Sequence, residues 1–415
     1  MPTLYTTATA IYHFGIRCAS LWNPKAKAWI VGREGIWDRL SQKRDALRGC
    51  LWMHCASVGE FEQGRPVLEA IKAQRPELPV LLTFFSPSGY EARKDFPLAT
   101  HVEYLPPDAA SNAQRLVELI TPRAAIFIKY EFWYHHLHAL KAKGVPTFLV
   151  SAVFRERQPF FRWYGGTWRS MLRCYEQIFT QDERSRELLS AIGVKNVTVS
   201  GDTRFDRVTA IAHEADHFEF ADRMERCSDG RSVVCGSTWP DDERLLAEAM
   251  DEVPFDAMIV PHEVTDAHVR SILGTFEPTP MLLGEYETLM PSEDDYRPSA
   301  VIVDRTGILA SLYRYADVAY VGGGFGDGIH NLLEAAVWGS PVIFGPAHTK
   351  FPEAQGLMDE GAGWCVHDAD ELKDVLRKLL DDPVALANAS EAAARYVRER
   401  TGATQRVLEV VDSIL

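Results

Sequence analysis

Apolar residues along the chain fall into short unbroken runs separated by longer stretches at helical spacing, the grammar of buried parallel strands joined by crossover helices. Leu51–Cys55 predicts a strand, Ala56–Gly59 a tight turn of small residues, and Phe61–Gln74 a helix with Val67, Leu68 and Ile71 inward. Val80–Phe84, His101–Tyr104, Ala124–Ile128, Thr147–Val150, Gln177–Thr180 and Val197–Ser200 continue the series, and Phe160–Tyr175 reads as a helical or loop segment dense in aromatics. The pattern weakens after Phe205 into a charged helix, His213–Cys227, then restarts at Ser232–Cys235 with a second strand-end turn, Gly236-Ser237-Thr238. Ala257–Val260, Leu282, Val301–Val303, Val318–Val321 and Val342–Phe344 form the second series, with Gly284 to Pro298 as an acidic surface loop. The tail is helical over Asp370–Leu380, Pro383–Arg400 and Thr404–Leu415. The fold class is therefore α/β in two domains: 50–204 and 205–390, preceded by an N-terminal segment, 1–49, and followed by helices over 391–415 that can cross back onto the first domain.

A length of 415 residues suits two cores, and 46% hydrophobic with 25% charged residues is a globular composition. Seven scattered cysteines without CxxC spacing suggest neither a disulfide framework nor a zinc site, which fits a reducing compartment. The net charge of −14 argues against a nucleic-acid partner, yet residues 1–50 hold eight Lys/Arg against three Asp/Glu, so that segment is basic. It also carries an apolar run, Leu4 to Trp22, broken by His13 and Arg17 and short of a spanning helix. Trp22, Trp29 and Trp37 interleave with Lys25, Lys27, Arg33 and Arg39, as in a helix lying on anionic headgroups. A helix packed on the domain fits the same pattern.

Candidate chemistry sits at strand ends. Five glycines in seven positions, Gly322, Gly323, Gly324, Gly326 and Gly328, follow one strand and lead into an expected helix, Ile329–Trp338. Such a turn offers N–H groups to a phosphate or carboxylate, and Glu334 stands where it could accept from sugar hydroxyls. The spacing is not the dinucleotide fingerprint. Glu60 and Glu131 each lie just past a strand's C-terminal end, the edge where open α/β sheets bind ligands. Each has a plainer role open to it, Glu60 as a first-turn acid and Glu131 as an ion-pair partner of Lys129 or an arginine. Asp241-Asp242 starts a helix and reads as a cap, and no Asp-x-Asp metal motif stands at a suitable strand end.

Ala56-Ser57-Val58-Gly59-Glu60, Ser86-Pro87-Ser88-Gly89, Glu131-Phe132-Trp133, Gly201-Asp202-Thr203-Arg204-Phe205-Asp206 and Gly322 through Pro346, in this order, resemble the Kdo transferases. These enzymes attach 3-deoxy-D-manno-octulosonic acid (Kdo) to lipid A precursors. The resemblance implies two Rossmann-like domains facing across a cleft, the B-type glycosyltransferase arrangement, with an acceptor domain first and a CMP-sugar donor domain second. It implies an N-terminal membrane-associated helix and residence at the cytoplasmic face of the inner membrane. It implies inverting transfer of Kdo from CMP-Kdo to lipid IVA in lipopolysaccharide biosynthesis, with neither metal nor cofactor. Glu60 falls on the general base, Glu131 on a second catalytic carboxylate, and Arg204 on a basic position that is lysine in many members. Pro261, His262, Thr306, Gly307, Ile308, Gly322, Gly323, Gly324, His330, Asn331, Leu332, Leu333 and Glu334 fall on donor-binding segments, and Ser86, Ser88 and Gly89 on the acceptor side. Two positions depart from the family: His262 stands where arginine is usual and Ile308 where glutamate is common. A related enzyme acting on a UDP-sugar, an epimerase or a GlcNAc transferase, is the alternative activity, and a non-catalytic sugar-nucleotide-binding membrane protein the alternative class.

Overall fold

The computed structural model describes residues 2–228, 231–288 and 298–415. The chain divides into two compact units, the first comprising Met1–Arg207 with Thr401–Leu415 and the second Val208–Arg400.

Unit 1 is built on seven parallel strands: β1 (Leu51–Cys55), β2 (Val80–Phe84), β3 (His101–Tyr104), β4 (Ala124–Ile128), β5 (Thr147–Ala152), β6 (Gln177–Thr180) and β7 (Val197–Val199). Their order is β3-β2-β1-β4-β5-β6-β7. β1, β2, β4 and β5 are buried at every position, which is why they read as continuous apolar runs rather than as alternation. Successive residues of β1 still serve opposite faces. Trp52 joins Phe127 and Leu81 in one core, whereas Leu51, Met53 and Cys55 join Ile126 and Ile128 in the other. The helix Val58–Gln74 covers the second face, and Gly64 lets it close, since a Cβ there would lie 2.9 Å from Ile128 and 3.2 Å from the Met53 sulfur. The last helix, Ala403–Val411, returns to this face and places Val407, Leu408, Val411 and Leu415 in the same core. Its N-terminus is held by Asp206, whose carboxylate accepts from the backbone N–H of Gly402 and Thr404, both at 2.6 Å.

Unit 2 repeats the plan with β8 (Ser232–Thr238), β9 (Asp256–Pro261), β10 (Met281–Leu282), β11 (Ala300–Ile302), β12 (Val318–Val321), β13 (Val342–Phe344) and β14 (Gly363–Cys365), all parallel, in the order β10-β11-β9-β8-β12-β13-β14. The strand order reverses between β1 and β4 in the first sheet and between β8 and β12 in the second, where β11 is also inserted between β9 and β10. A crevice opens at the C-terminal ends of the strands at such a reversal.

Several elements differ from the sequence expectation. The charged stretch after Phe205 forms two helices, Thr203–His213 and Glu219–Cys227. The Gly284–Pro298 surface loop begins instead as a helix, Leu283–Thr288, and residues 289–297 lie outside the described residues. Phe160–Tyr175 is a short 3-10 turn, Pro159–Phe161, and a helix, Gly166–Leu172. Phe160 and Tyr175 go to the core while Trp163 stays 92% exposed. The expected helix Ile329–Trp338 shrinks to Leu333–Ala336, because the glycine turn extends to His330 before the chain can coil.

The N-terminal segment is a helix, Pro2–Ala19, followed by Pro24–Gly32 and Ile36–Gln42. Tyr5 ties the first helix down by donating to Asp108 at 2.7 Å, and His13 stacks on Trp29 with ring centres 5.5 Å apart. Leu4, Ile11, Phe14, Leu21 and Trp22 remain exposed. No helix among the described residues is long and apolar enough to cross a membrane.

Candidate active site

At the reversal in unit 1, β1 ends at Cys55 and two residues later Ser57 opens the helix Val58–Gln74. Glu60 is thereby set in the first turn, at the positive end of the helix, where a carboxylate is favoured. The Ser57 hydroxyl donates to Glu60 Oε2, which fixes the carboxylate's direction. Glu131 follows β4 after a sharp reversal at Lys129, whose φ is +69°. Its carboxylate is buried and, among the described residues, pairs with neither Lys129 nor an arginine. It faces His54 Nε2 at 2.8 Å, and the Trp133 indole N–H donates to the same Oε2 at 2.5 Å. The Tyr175 hydroxyl donates to the Glu131 carbonyl at 2.5 Å.

Arg204 lies at the start of the helix Thr203–His213, and Asp202 orients it twice. Asp202 Oδ1 accepts from the Arg204 backbone N–H at 2.9 Å and Oδ2 from its Nε at 2.8 Å. Thr203 is anchored beneath by donating to the Gln63 carbonyl at 2.5 Å and sharing a hydrogen bond with Ser151 at 2.8 Å. The motif Gly201–Asp206 thus has a division of labour: Asp202 sets Arg204 and Asp206 caps the returning helix. The Tyr130 phenol connects these groups. Burial raises its pKa, with Arg155 opposing, Glu60 and Asp182 adding, and Arg204 opposing. Glu60 and Arg204 therefore act on one phenol at one edge of the sheet.

On the expected acceptor side, the Ser86 hydroxyl accepts from the Gly89 backbone N–H at 3.1 Å and caps the helix Pro87–Arg93. Gly89 is buried because any Cβ would meet Phe84 at 2.7 Å, and Ser88 is exposed.

At the reversal in unit 2, β12 runs into the glycine turn, which is packed too closely for side chains. A Cβ on Gly322 would lie 2.5 Å from the Ser237 carbonyl, and one on Gly324 would lie 2.5 Å from the Gly345 backbone. Gly323 has φ +90°. The sequence expectation of free amides here needs correction at two positions. Gly322 N–H donates to the Gly236 carbonyl at 2.9 Å, and Gly323 N–H donates to Asp242 Oδ2, also at 2.9 Å. Asp242 is the residue that sequence reasoning undervalued. It does cap the helix Pro240–Met250, accepting from Trp239 N–H at 3.0 Å, but its other oxygen accepts from the Tyr320 hydroxyl at 2.7 Å. One buried carboxylate therefore ties β8's following helix to β12 and the turn. Burial raises its pKa against three hydrogen bonds that lower it.

Beside the turn, three rings form a column: His262 stacks on Trp239 at 4.8 Å and on His330 at 4.3 Å. Burial, then the neighbouring His262, lowers the His330 pKa to about 4, so this imidazole is neutral near pH 7. Trp239 Nε1 donates to His330 Nε2 at 3.3 Å, leaving the His330 proton on Nδ1. Asn331 donates to Glu334 Oε1 at 2.9 Å and accepts from Leu333 N–H at 3.2 Å, so Glu334 is oriented by the residue that caps its own turn. Leu332 and Leu333 are fully buried and supply packing. Pro261 closes β9 and is buried, whereas Thr306 and the Gly307 bend at φ +89° are exposed and Ile308 half-buried ahead of Leu309–Leu312.

The sequence similarity points the same way. Residues 33–207 match the family described as "3-Deoxy-D-manno-octulosonic-acid transferase (kdotransferase)". The 3-deoxy-D-manno-octulosonic acid transferase of Aquifex aeolicus is 29% identical over 344 residues, covering 80% of this chain and 86% of that protein. That of Bordetella pertussis is 28% identical over 402 residues, covering 89% and 88%. Over most of its length the chain is similar to the Kdo transferases, a family of glycosyltransferases. Among solved structures, a putative UDP-N-acetylglucosamine 2-epimerase from Listeria monocytogenes superposes with a TM-score of 0.61 at 13% identity, covering 88% of this chain and 96% of that one. UDP-GlcNAc 2-epimerase from Neisseria meningitidis gives 0.60 at 13%, covering 88% and 99%. At that identity the likeness is one of fold, so the chain shares its architecture with enzymes of other chemistry.

Proposed function

We propose that the chain transfers Kdo from CMP-Kdo to a hydroxyl of a lipid A precursor, lipid IVA, with inversion at the anomeric carbon. The observation that carries the chemistry is Glu60, aimed by Ser57 at the strand edge where Arg204 also acts. Glu60 takes the proton of the acceptor hydroxyl as its oxygen attacks the anomeric carbon, and the bond to the CMP phosphate breaks with the electron pair leaving on CMP. Arg204, held by Asp202, faces the negative charge that develops on the departing phosphate, a role that in this proposal asks for no metal and no cofactor. Glu131 is the second carboxylate of the centre. In unit 2 the ring column and the glycine turn hold the nucleotide, with His262 stacking where the family's usual arginine would bring charge, and Glu334 accepts from sugar hydroxyls.

The exposed apolar residues of Pro2–Ala19 and the basic segment behind them support attachment at the cytoplasmic face of the inner membrane, with the helix lying on the surface. Ser86 and Ser88 lie on the acceptor side of this reading. Incubation with CMP-Kdo and lipid IVA should release CMP, and mass spectrometry should show the lipid heavier by Kdo. Tighter binding of UDP than of CMP would overturn the donor assignment in favour of a UDP-sugar enzyme, and CMP binding without turnover would leave only a binding protein. Flotation with anionic vesicles tests attachment, which should weaken when Phe14 and Trp22 become serine.

A further inference from the structure

His54 is a fully buried histidine in the middle of a central strand, and every polar atom around it has a direction. In register it lies between Thr83 on β2 and Phe127 on β4. Its Nδ1 is 3.0 Å from the Thr83 carbonyl and 2.9 Å from the Thr83 hydroxyl oxygen. That carbonyl can only accept. The hydroxyl already accepts from Trp52 Nε1 at 2.9 Å and directs its own proton to the Met53 carbonyl at 3.4 Å. Nδ1 must therefore carry a proton. On the other side Nε2 meets Glu131 Oε2 at 2.8 Å, a distance that two lone pairs do not share without a proton between them. The Trp133 N–H lies 2.5 Å from Oε2 and 3.2 Å from Nε2, so its bond goes to the carboxylate. An oxygen that accepts two such short bonds is best ionised.

We propose that His54 is an imidazolium whose Nε2 proton holds Glu131 as a fixed carboxylate, making His54 a positioning residue for the transfer reaction. The inference rests on Glu131's place in the active centre proposed above. Other titratable groups facing the pair do not compete for this role. Burial lowers the His136 pKa and raises those of the Cys55 thiol and the Tyr175 phenol, which keeps all three neutral. Glu60 and Glu62 on the adjoining helix add to the rise of the Cys55 pKa. With Oε2 occupied by two donors, Oε1 is the oxygen left for the substrate. Glu131 then works as a preorganised acceptor or as a negative charge set against a developing positive one, and it does not shuttle protons.

The test begins on the unaltered full-length chain with nitrogen-15 in its histidines. At neutral pH one histidine should show both ring nitrogens protonated and a far-downfield N–H proton, and that proton should vanish in Glu131→Gln. The absence of any doubly protonated histidine whose signal depends on Glu131 would overturn the proposal, whatever the activity. Two replacements then read the role. In His54→Gln the amide nitrogen sits near the Nε2 position and still donates to Glu131; in His54→Asn it sits near Nδ1 and reaches only Thr83. The expected result, at matched Tm, is that His54→Asn loses about 100-fold in kcat with acceptor KM unchanged, while His54→Gln recovers most of it. Equal losses in both would reduce His54 to a packing residue. The NMR signature without Kdo transfer would sink the proposed activity and leave the ion pair standing.

Discussion

The reversals between β1 and β4 and between β8 and β12 occupy corresponding places in their sheets, yet the first gathers carboxylates and an arginine and the second a glycine turn and stacked rings. Between β1 and β4 stand Glu60, Glu131 with His54, and Arg204 nearby, each aimed by a hydrogen bond. Between β8 and β12 stand a glycine turn, a column of stacked rings with a neutral His330, and an Asp242 wholly engaged by three donors. Topology fixes where a ligand can approach. Side chains decide whether the edge moves protons or only holds what arrives, and under the proposed function the two tasks fall to different sheets.

The largest effect should come from breaking that division at its reactive side. Glu60→Ala should lower turnover by about 100- to 10,000-fold while leaving CMP affinity unchanged by calorimetry. Retained turnover would move the proton transfer elsewhere, and lost CMP binding would erase the distinction between the two edges. Next comes Gly324→Ala, whose methyl would press into the Gly345 backbone at 2.5 Å. We expect about 1–3 kcal/mol of destabilisation and at least a tenfold loss of CMP affinity, seen in the denaturation midpoint and by calorimetry. A variant that binds CMP normally would show that the close packing has no bearing on the ligand.

The smallest effect is a pH dependence in unit 2. His330 is lowered from 6.5 to about 4, so between those values the unfolded chain binds the proton more readily than the folded one. Stability is therefore complete above pH 6.5 and declines as pH falls toward about 4, and it rises with pH across that window. His330→Asn should flatten this segment of the stability profile. An unchanged slope would assign it to other groups.

Much of this was readable in advance because the informative residues interrupt a strong pattern. Glu60 and Glu131 stand just past apolar runs, and the turn at Gly322–Gly328 leaves little else to infer from so many glycines. His54 is not legible in the sequence because Leu51–Cys55 is buried on both faces, so one polar letter in an apolar strand carries no periodic signature. Its burial was the available signal, since a polar ring in a central strand must find partners. Asp242 reads as a cap, which it is, but its carboxylate also reaches residues about 80 positions away that no local pattern reveals. The helix after the glycine turn starts four residues later than its spacing predicts, since helical spacing in Ile329–Trp338 is equally satisfied by an irregular loop whose Ile329 and Leu332 fall into the core.

The returning helix Ala403–Val411 has a consequence for how such a molecule can change over generations. Because unit 1 is completed by residues from both ends of the chain, unit 2 is in effect a cassette inserted within it, contiguous from 208 to 400. A genetic exchange between those two points would replace one module whole and leave the other's core undisturbed. Truncation at residue 400 would instead remove Val407, Leu408 and Val411 from the core of unit 1, to which the tail was expected to cross back.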